Sequence, residues 1–316
     1  MLRTNLMNPD AARLDRAARD GLLKELFPQV ELVTNDQASP NLKGPFLTTN
    51  MVLDGGFAYL RPAMVEAGLA REMETAMSAM KTTNKIKGWI LDLRGAGGSD
   101  YRAAVAIADR FVATEQDLLD FGEGMARSKA KANTNQLPLT VLLNHATAAA
   151  AEALAAMLSK AEAGLLLGTN TAGQAFIWKE FPLTNGLRLR IATGRLKLGD
   201  GTPLPLQGVK PDIRIVISPE DERAYLEDPY RVLAKASVSG FNWGQDTNLT
   251  ASGTNKHARH RINEADLVRF LREGQDYSEE GHPAFSADPA RPVLRDPALA
   301  RAVDLLKGLA LLRRSR

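Results

Sequence analysis

The chain has 316 residues, 44% hydrophobic and 24% charged, the balance of an ordinary globular protein with room for one large core or two modest ones. Its 40 basic and 37 acidic residues leave a formal charge of +3, too small to imply a nucleic-acid partner. The absence of cysteine excludes disulfides, thiolate metal sites and a cysteine nucleophile, and leaves the compartment open.

The N-terminus, Met1 to Pro9, lacks the apolar core of about 7–15 residues that a signal peptide carries. Either the protein is cytoplasmic or a leader has been trimmed. No apolar run approaches the ~20 residues of a membrane helix, so no membrane span is expected. From Pro9 onward, Leu14, Ala17, Ala18, Leu22 and Leu26 recur at helical spacing, and Phe27-Pro28 ends that helix. Residues 34–56, rich in Asn, Pro, Gly and Thr, read as a connector. A strand is predicted at Gly56–Leu60 and a helix from Pro62 to Lys81, with a stripe of Met73, Met77 and Met80 read as adaptable core.

Residues 86–94 form a strand that runs into glycines, and a helix carrying Ala103, Val105, Ala106 and Ile107 follows. Pro138–Asn144 is a second strand, Ala148–Lys160 an alanine-rich helix, and Gly164–Gly168 a third strand. The pattern then turns antiparallel, with Phe176–Phe181 and Leu187–Thr193 flanking the hairpin signal Thr184-Asn185-Gly186. Strand, helix, strand, helix, strand implies right-handed βαβ crossovers and an α/β core. Beyond Pro219, polar stretches flank short helices at Asn263–Arg272 and Asp296–Leu312. The basic loop Lys256–His260 and the tail Arg313–Arg316 read as solvated. The organisation predicted is an N-terminal helical segment (1–33), a connector (34–55), a core (56–217) and a C-terminal extension (218–316).

Three segments taken together resemble the S41 serine peptidases, the tail-specific or C-terminal processing peptidases. Lys87 to Gly98, reading KGWILDLRGAGG, is similar to that family's LDLRxNxGG. Leu143 to Glu152, reading LNHATAAAAE, resembles N-x-x-S-A-S-A-S-E with every serine replaced. Gly168 to Gln174, reading GTNTAGQ, resembles G-x-x-T-F-G-K, and Gly208-Val209-Lys210-Pro211-Asp212 is similar to the closing G-[IV]-x-P-D. The resemblance implies a ClpP/crotonase-like α/β spiral. It also implies an extracytoplasmic location for the usual family member, and a PDZ module that residues 34–56 are too few to hold.

The resemblance further implies a Ser/Lys dyad: a serine nucleophile, a desolvated lysine as base and two backbone N–H groups for the oxyanion. The nucleophile position falls on Ala149 and the lysine position on Gln174, while a third polar position, an Asp, falls on Lys160. A methyl group cannot attack a carbonyl, and an amide is no base at neutral pH. Loss of a nucleophile from such a unit costs on the order of a millionfold in turnover. Gly97, Gly98 and the N–H of Ala150 remain as oxyanion or peptide-binding elements, with Ala96 replacing the usual Asn.

The resulting expectation is an inactive peptidase fold that binds a peptide or protein partner. The alternative is a hydrolase rebuilt on Thr147, His145 or Lys179. Thr147 also stands where a helix N-cap would, and Ser159 and Lys160 point about 100° apart on one helix, which disfavours a new dyad there. Acyl-CoA chemistry lacks an acid/base pair near the glycines. Neither a metal nor a cofactor is expected, because the four histidines are scattered and His257 and His260 have no clustered carboxylates.

Overall fold

The computed structural model describes residues 10–34, 44–131, 137–184, 186–233 and 293–314. The chain opens with α1 (Ala11–Leu26), β1 (Val30–Thr34), β2 (Leu47–Leu53), β3 (Phe57–Pro62) and α2 (Leu69–Thr83). Then come β4 (Gly88–Asp92), α3 (Tyr101–Phe111), β5 (Asp117–Asp120), β6 (Met125–Arg127), β7 (Leu139–Leu143) and α4 (Ala149–Lys160). It continues with β8 (Leu165–Gly168), β9 (Phe176–Pro182), β10 (Leu187–Arg195), β11 (Lys197–Leu198) and β12 (Ile213–Arg214), and ends with α5 (Pro219–Glu227) and α6 (Pro297–Arg314).

Six strands make the central sheet in the order β12-β8-β7-β4-β3-β2. All neighbours are parallel except β2, which runs antiparallel to β3 at the edge. Helices α2, α3 and α4 each connect one parallel strand to the next, the βαβ arrangement expected from the alternation in the sequence. Strands β4 and β7 are buried at all five positions, which is why they read as near-continuous apolar runs, with Asp92 and Thr140 the polar members. Their side chains still divide by parity. Trp89 and Leu91 enter the core with Met73, Ile107 and Leu154, whereas Ile90 and Leu142 pack with Leu299, Ala302 and Leu306 of α6. The fold is therefore α/β, with helices on both faces of the sheet.

Two small antiparallel sheets complete the described residues, β1-β10-β9 and β11-β5-β6. Most sequence-predicted elements are present with shifted ends, and the methionine stripe Met73, Met77 and Met80 is buried as expected. Three differences have physical causes. The residues read as a connector contain β2, whose Thr48 and Asn50 face outward from a sheet edge and so carry no clear alternation. Helix α2 starts at Leu69 rather than Pro62 because Pro62 closes β3 and Met64 pairs with Gly97. Helix α5 went unpredicted; Pro219 begins it, and the Ser218 hydroxyl caps it by accepting from Asp221 N at 3.1 Å. The helix expected at Asn263–Arg272 and the His257–His260 loop lie outside the described residues.

The C-terminal helix is held by a buried charge cluster rooted in β4. Arg94 Nη2 lies 2.7 Å from Asp92 Oδ2 and 2.7 Å from Asp296 Oδ2, and the Tyr59 hydroxyl donates to Asp92 Oδ2 at 2.7 Å. Asp296 also accepts from Ala298 N at 3.0 Å and Leu299 N at 3.2 Å, capping α6. Burial pushes the Asp92 carboxyl up, but the Arg94 charge and hydrogen bonds outweigh it and hold the group below the usual carboxylate range.

Candidate active site

Strands β4, β7 and β8 are adjacent and parallel, so the turns at their C-terminal ends meet at one edge of the sheet. The carboxyl ends of the strands are the side from which open α/β sheets take up ligands. Four buried polar side chains stitch the turns together. Asn144 Oδ1 accepts from Gly95 N at 2.9 Å and Ala146 N at 3.1 Å, while its amide donates to Glu222 Oε2 on α5 at 2.9 Å. The Thr147 hydroxyl donates to the Leu93 carbonyl at 2.8 Å and accepts from Asn144 N at 3.1 Å. Glu152 accepts from Gly173 N at 3.1 Å and Gln174 N at 2.9 Å. Thr171 Oγ1 accepts from Val209 N at 2.7 Å.

Ala149 is the first residue of α4 and has φ of +50°, in the left-handed region that costs an L-residue about 1–2 kcal/mol. Such strain collects at functional sites, and a nucleophile exposed on a sharp strand-to-helix turn is its familiar form. Here a methyl group stands at the tip of such a turn. Gln174, half-buried, sits on the loop whose backbone Glu152 grips. Burial raises the Glu152 pKa, partly opposed by the N–H groups of Gln174 and Gly173 and the Thr171 hydroxyl.

The candidate oxyanion elements face each other. Ala148 N donates to the Ala96 carbonyl at 3.0 Å, and Ala150 N to the Gly98 carbonyl at 3.2 Å. Gly97 N donates at 3.4 Å to the Ala63 carbonyl. Gly98 has φ of +124°, and a Cβ there would drive into the Val65 backbone, so both the backbone angle and the close approach require glycine.

The alternative residues are not assembled into a site. Thr147 is fully buried with its hydroxyl committed to Leu93 and Asn144, whereas His145 is exposed. Nor is Thr147 the N-cap; Ala148 holds that position without a side-chain cap bond, because the Thr147 hydroxyl turns inward to the end of β4. Lys179 is exposed on β9, with its ammonium 5.4 Å from the Phe181 ring. Lys160 forms an ion pair with Asp200 at 2.6 Å, and its hydrogen bond pulls that carboxyl down to about 2. Among the described residues no group of three or more His, Asp or Glu is placed to hold a metal, and no helix is long and apolar enough to cross a membrane.

Sequence reasoning missed the work of Asn144, Glu152 and Thr171. All three stand in the quoted motifs, so the signal was present. Most of their partners, the backbone N–H groups of Gly95, Gly173, Gln174 and Val209 and the Glu222 carboxylate, lie far away in sequence, which no spacing rule reveals.

A carboxy-terminal-processing protease of Bartonella bacilliformis is 26% identical over 251 residues, covering 75% of this chain and 56% of that protein. A chloroplastic C-terminal processing peptidase of Tetradesmus obliquus is 29% identical over 180 residues, 55% of this chain and 38% of that one. The chain thus spans little more than half the length of these curated relatives, or less. A solved photosystem II D1 C-terminal processing protease aligns with 25% identity and a TM-score of 0.43, over 59% of this chain and 48% of that one. The model of peptidase family S41 matches residues 56–215, half of the chain and the stretch that builds the central sheet from β3 to β12. The chain belongs to peptidase family S41.

Proposed function

We propose that the protein is a non-catalytic member of its family that binds a peptide or protein partner rather than cleaving one. The observation that carries this reading is Ala149 at the tip of an intact strand-to-helix turn, with Gln174 on the loop that Glu152 holds. The turn keeps the strained backbone that a nucleophile would need, but neither side chain can form an acyl intermediate or take up a proton. The commitment of the Thr147 hydroxyl to the Leu93 carbonyl supports the same reading, since attack would cost that buried hydrogen bond.

Three measurements test the proposal. Purified protein is incubated with unstructured peptides and, separately, with a fluorophosphonate probe; no turnover and no labelled hydroxyl are expected. Peptide cleavage, or label on any residue, overturns the non-catalytic reading. Calorimetric titration with the same peptides tests the binding half.

A further inference from the structure

Resting on that reading, we infer that the site is closed by its own backbone: the Gly98 carbonyl occupies the N–H of Ala150 that would face an oxyanion or a bound peptide carbonyl. The degenerate side chains are then one loss and the sealed donor a second. Three contacts build the closure. Ala150 N donates to Gly98 O at 3.2 Å, and Ala148 N donates to Ala96 O at 3.0 Å, so the glycine turn after β4 lies flat on the first turn of α4. From the other side, Val65 N donates to Gly97 O at 2.9 Å, and Gly98 is jammed against the Val65 backbone. Turning the Gly98 carbonyl away would have to break the bond to Ala150 while the strap to Val65 resists. The neighbouring donors of the α4 first turn, Ala151 N and Glu152 N, are also taken, both by the Ala148 carbonyl at 3.2 and 3.4 Å.

The consequence for the reaction is quantitative. An oxyanion donor contributes on the order of 10²–10³ in turnover, so a nucleophile and base restored beneath a sealed donor fall short of full activity by about that factor. The consequence for binding is directional. A partner is recognised by surfaces other than the Ala150 N–H, because a peptide carbonyl placed there must displace an existing hydrogen bond.

The test uses the full chain, perdeuterated and labelled with 15N and 13C. A scalar coupling across the hydrogen bond from Ala150 15N to Gly98 13C′ is expected, with the Ala148–Ala96 coupling as internal reference. Absence of the Ala150–Gly98 coupling, with or without the reference, overturns the closure. A second arm introduces Ala149→Ser with Gln174→Lys and measures fluorophosphonate labelling and peptide turnover. Both are expected to rise by no more than about 10³–10⁴ over the wild type, whereas a dyad under an open donor would approach the full gain of about 10⁶. Such a gain overturns the closure and leaves the non-catalytic reading of the natural chain intact. Activity of the wild type overturns that reading instead, and the coupling still decides the closure. If circular dichroism shows the double variant unfolded, the coupling alone gives the answer.

Discussion

Replacing Asp296 by alanine should uncouple the C-terminal helix from the sheet at a cost of about 4 kcal/mol. Its carboxylate does two jobs in the structure. It pairs with Arg94 at 2.7 Å with both side chains buried, and removing one partner of a buried pair costs about 3–5 kcal/mol because the other charge is stranded. The Arg94 charge is only partly stranded, since Asp92 remains 2.7 Å away, which puts the pair loss at the low end of that range. Asp296 also caps α6 through Ala298 N and Leu299 N, and losing a cap costs about 1 kcal/mol. Asp296→Asn keeps an acceptor for the cap and nearly the same volume while removing the charge, so about 2 kcal/mol is expected. Urea unfolding followed by tryptophan fluorescence reads the totals. Hydrogen exchange localises them, with faster exchange expected in α6 and little change in α4. An Asp296→Ala cost below about 1 kcal/mol would match an exposed ion pair and refute the argument.

Two further substitutions probe the site. The folded-state pKa of Glu152 lies above the ~4.3 of a free glutamate, so the folded chain keeps that proton to higher pH than the unfolded one, and the charge costs stability once both values are passed. Glu152→Gln removes this cost: relative to the wild type, its urea-derived stability should move in the variant's favour as pH rises from about 4 through the Glu152 pKa, then level off. A difference that is flat with pH, or that moves the other way, would mean the N–H bonds outweigh burial. Ala149→Gly should be neutral or stabilising by up to about 1 kcal/mol, because relief of the left-handed strain exceeds the glycine entropy cost. A loss above about 1 kcal/mol, as for glycine in an ordinary helix, would contradict the strained turn.

Much of the fold was legible because its central strands are buried on both faces. Gly88–Asp92 and Leu139–Leu143 are apolar runs, and the alanines of α4 announce a helix packed closely on its neighbours. Edge and cap features were not legible. Strand β2 hides its character behind outward Thr48 and Asn50, and α5 is acidic along its first turn, where Glu220, Asp221 and Glu222 look like solvated surface. Glu222 is nevertheless buried and receives the Asn144 amide. Ala149 and Gln174 were singled out by register against the family motifs, and Ala149 stands on the strained turn that opens α4. The seal over Ala150 was not, because it joins two backbone groups and no side chain records it.

The side chains that hold the turns together are distinct from Ala149 and Gln174. Asn144, Thr147, Glu152 and Thr171 close the ends of three adjacent strands, and each is buried with backbone partners, the Asn144 amide also donating to Glu222. Removing any one would leave buried donors or acceptors unpaired, at about 1–3 kcal/mol per group against a total stability of about 5–15 kcal/mol. Ala149 and Gln174 stand outside that accounting. Neither side chain is among those that stitch the turns, and Gln174 contributes through its backbone N–H, which any non-proline residue supplies. Substitution at these two positions is thus nearly free for the fold, which is consistent with the non-catalytic function proposed above. The network beneath them is under folding constraint whether or not a peptide is ever cleaved, so an intact frame is weak evidence for activity and good evidence for ancestry. Only groups placed for reaction, and donors left open for it, can argue that catalysis continues.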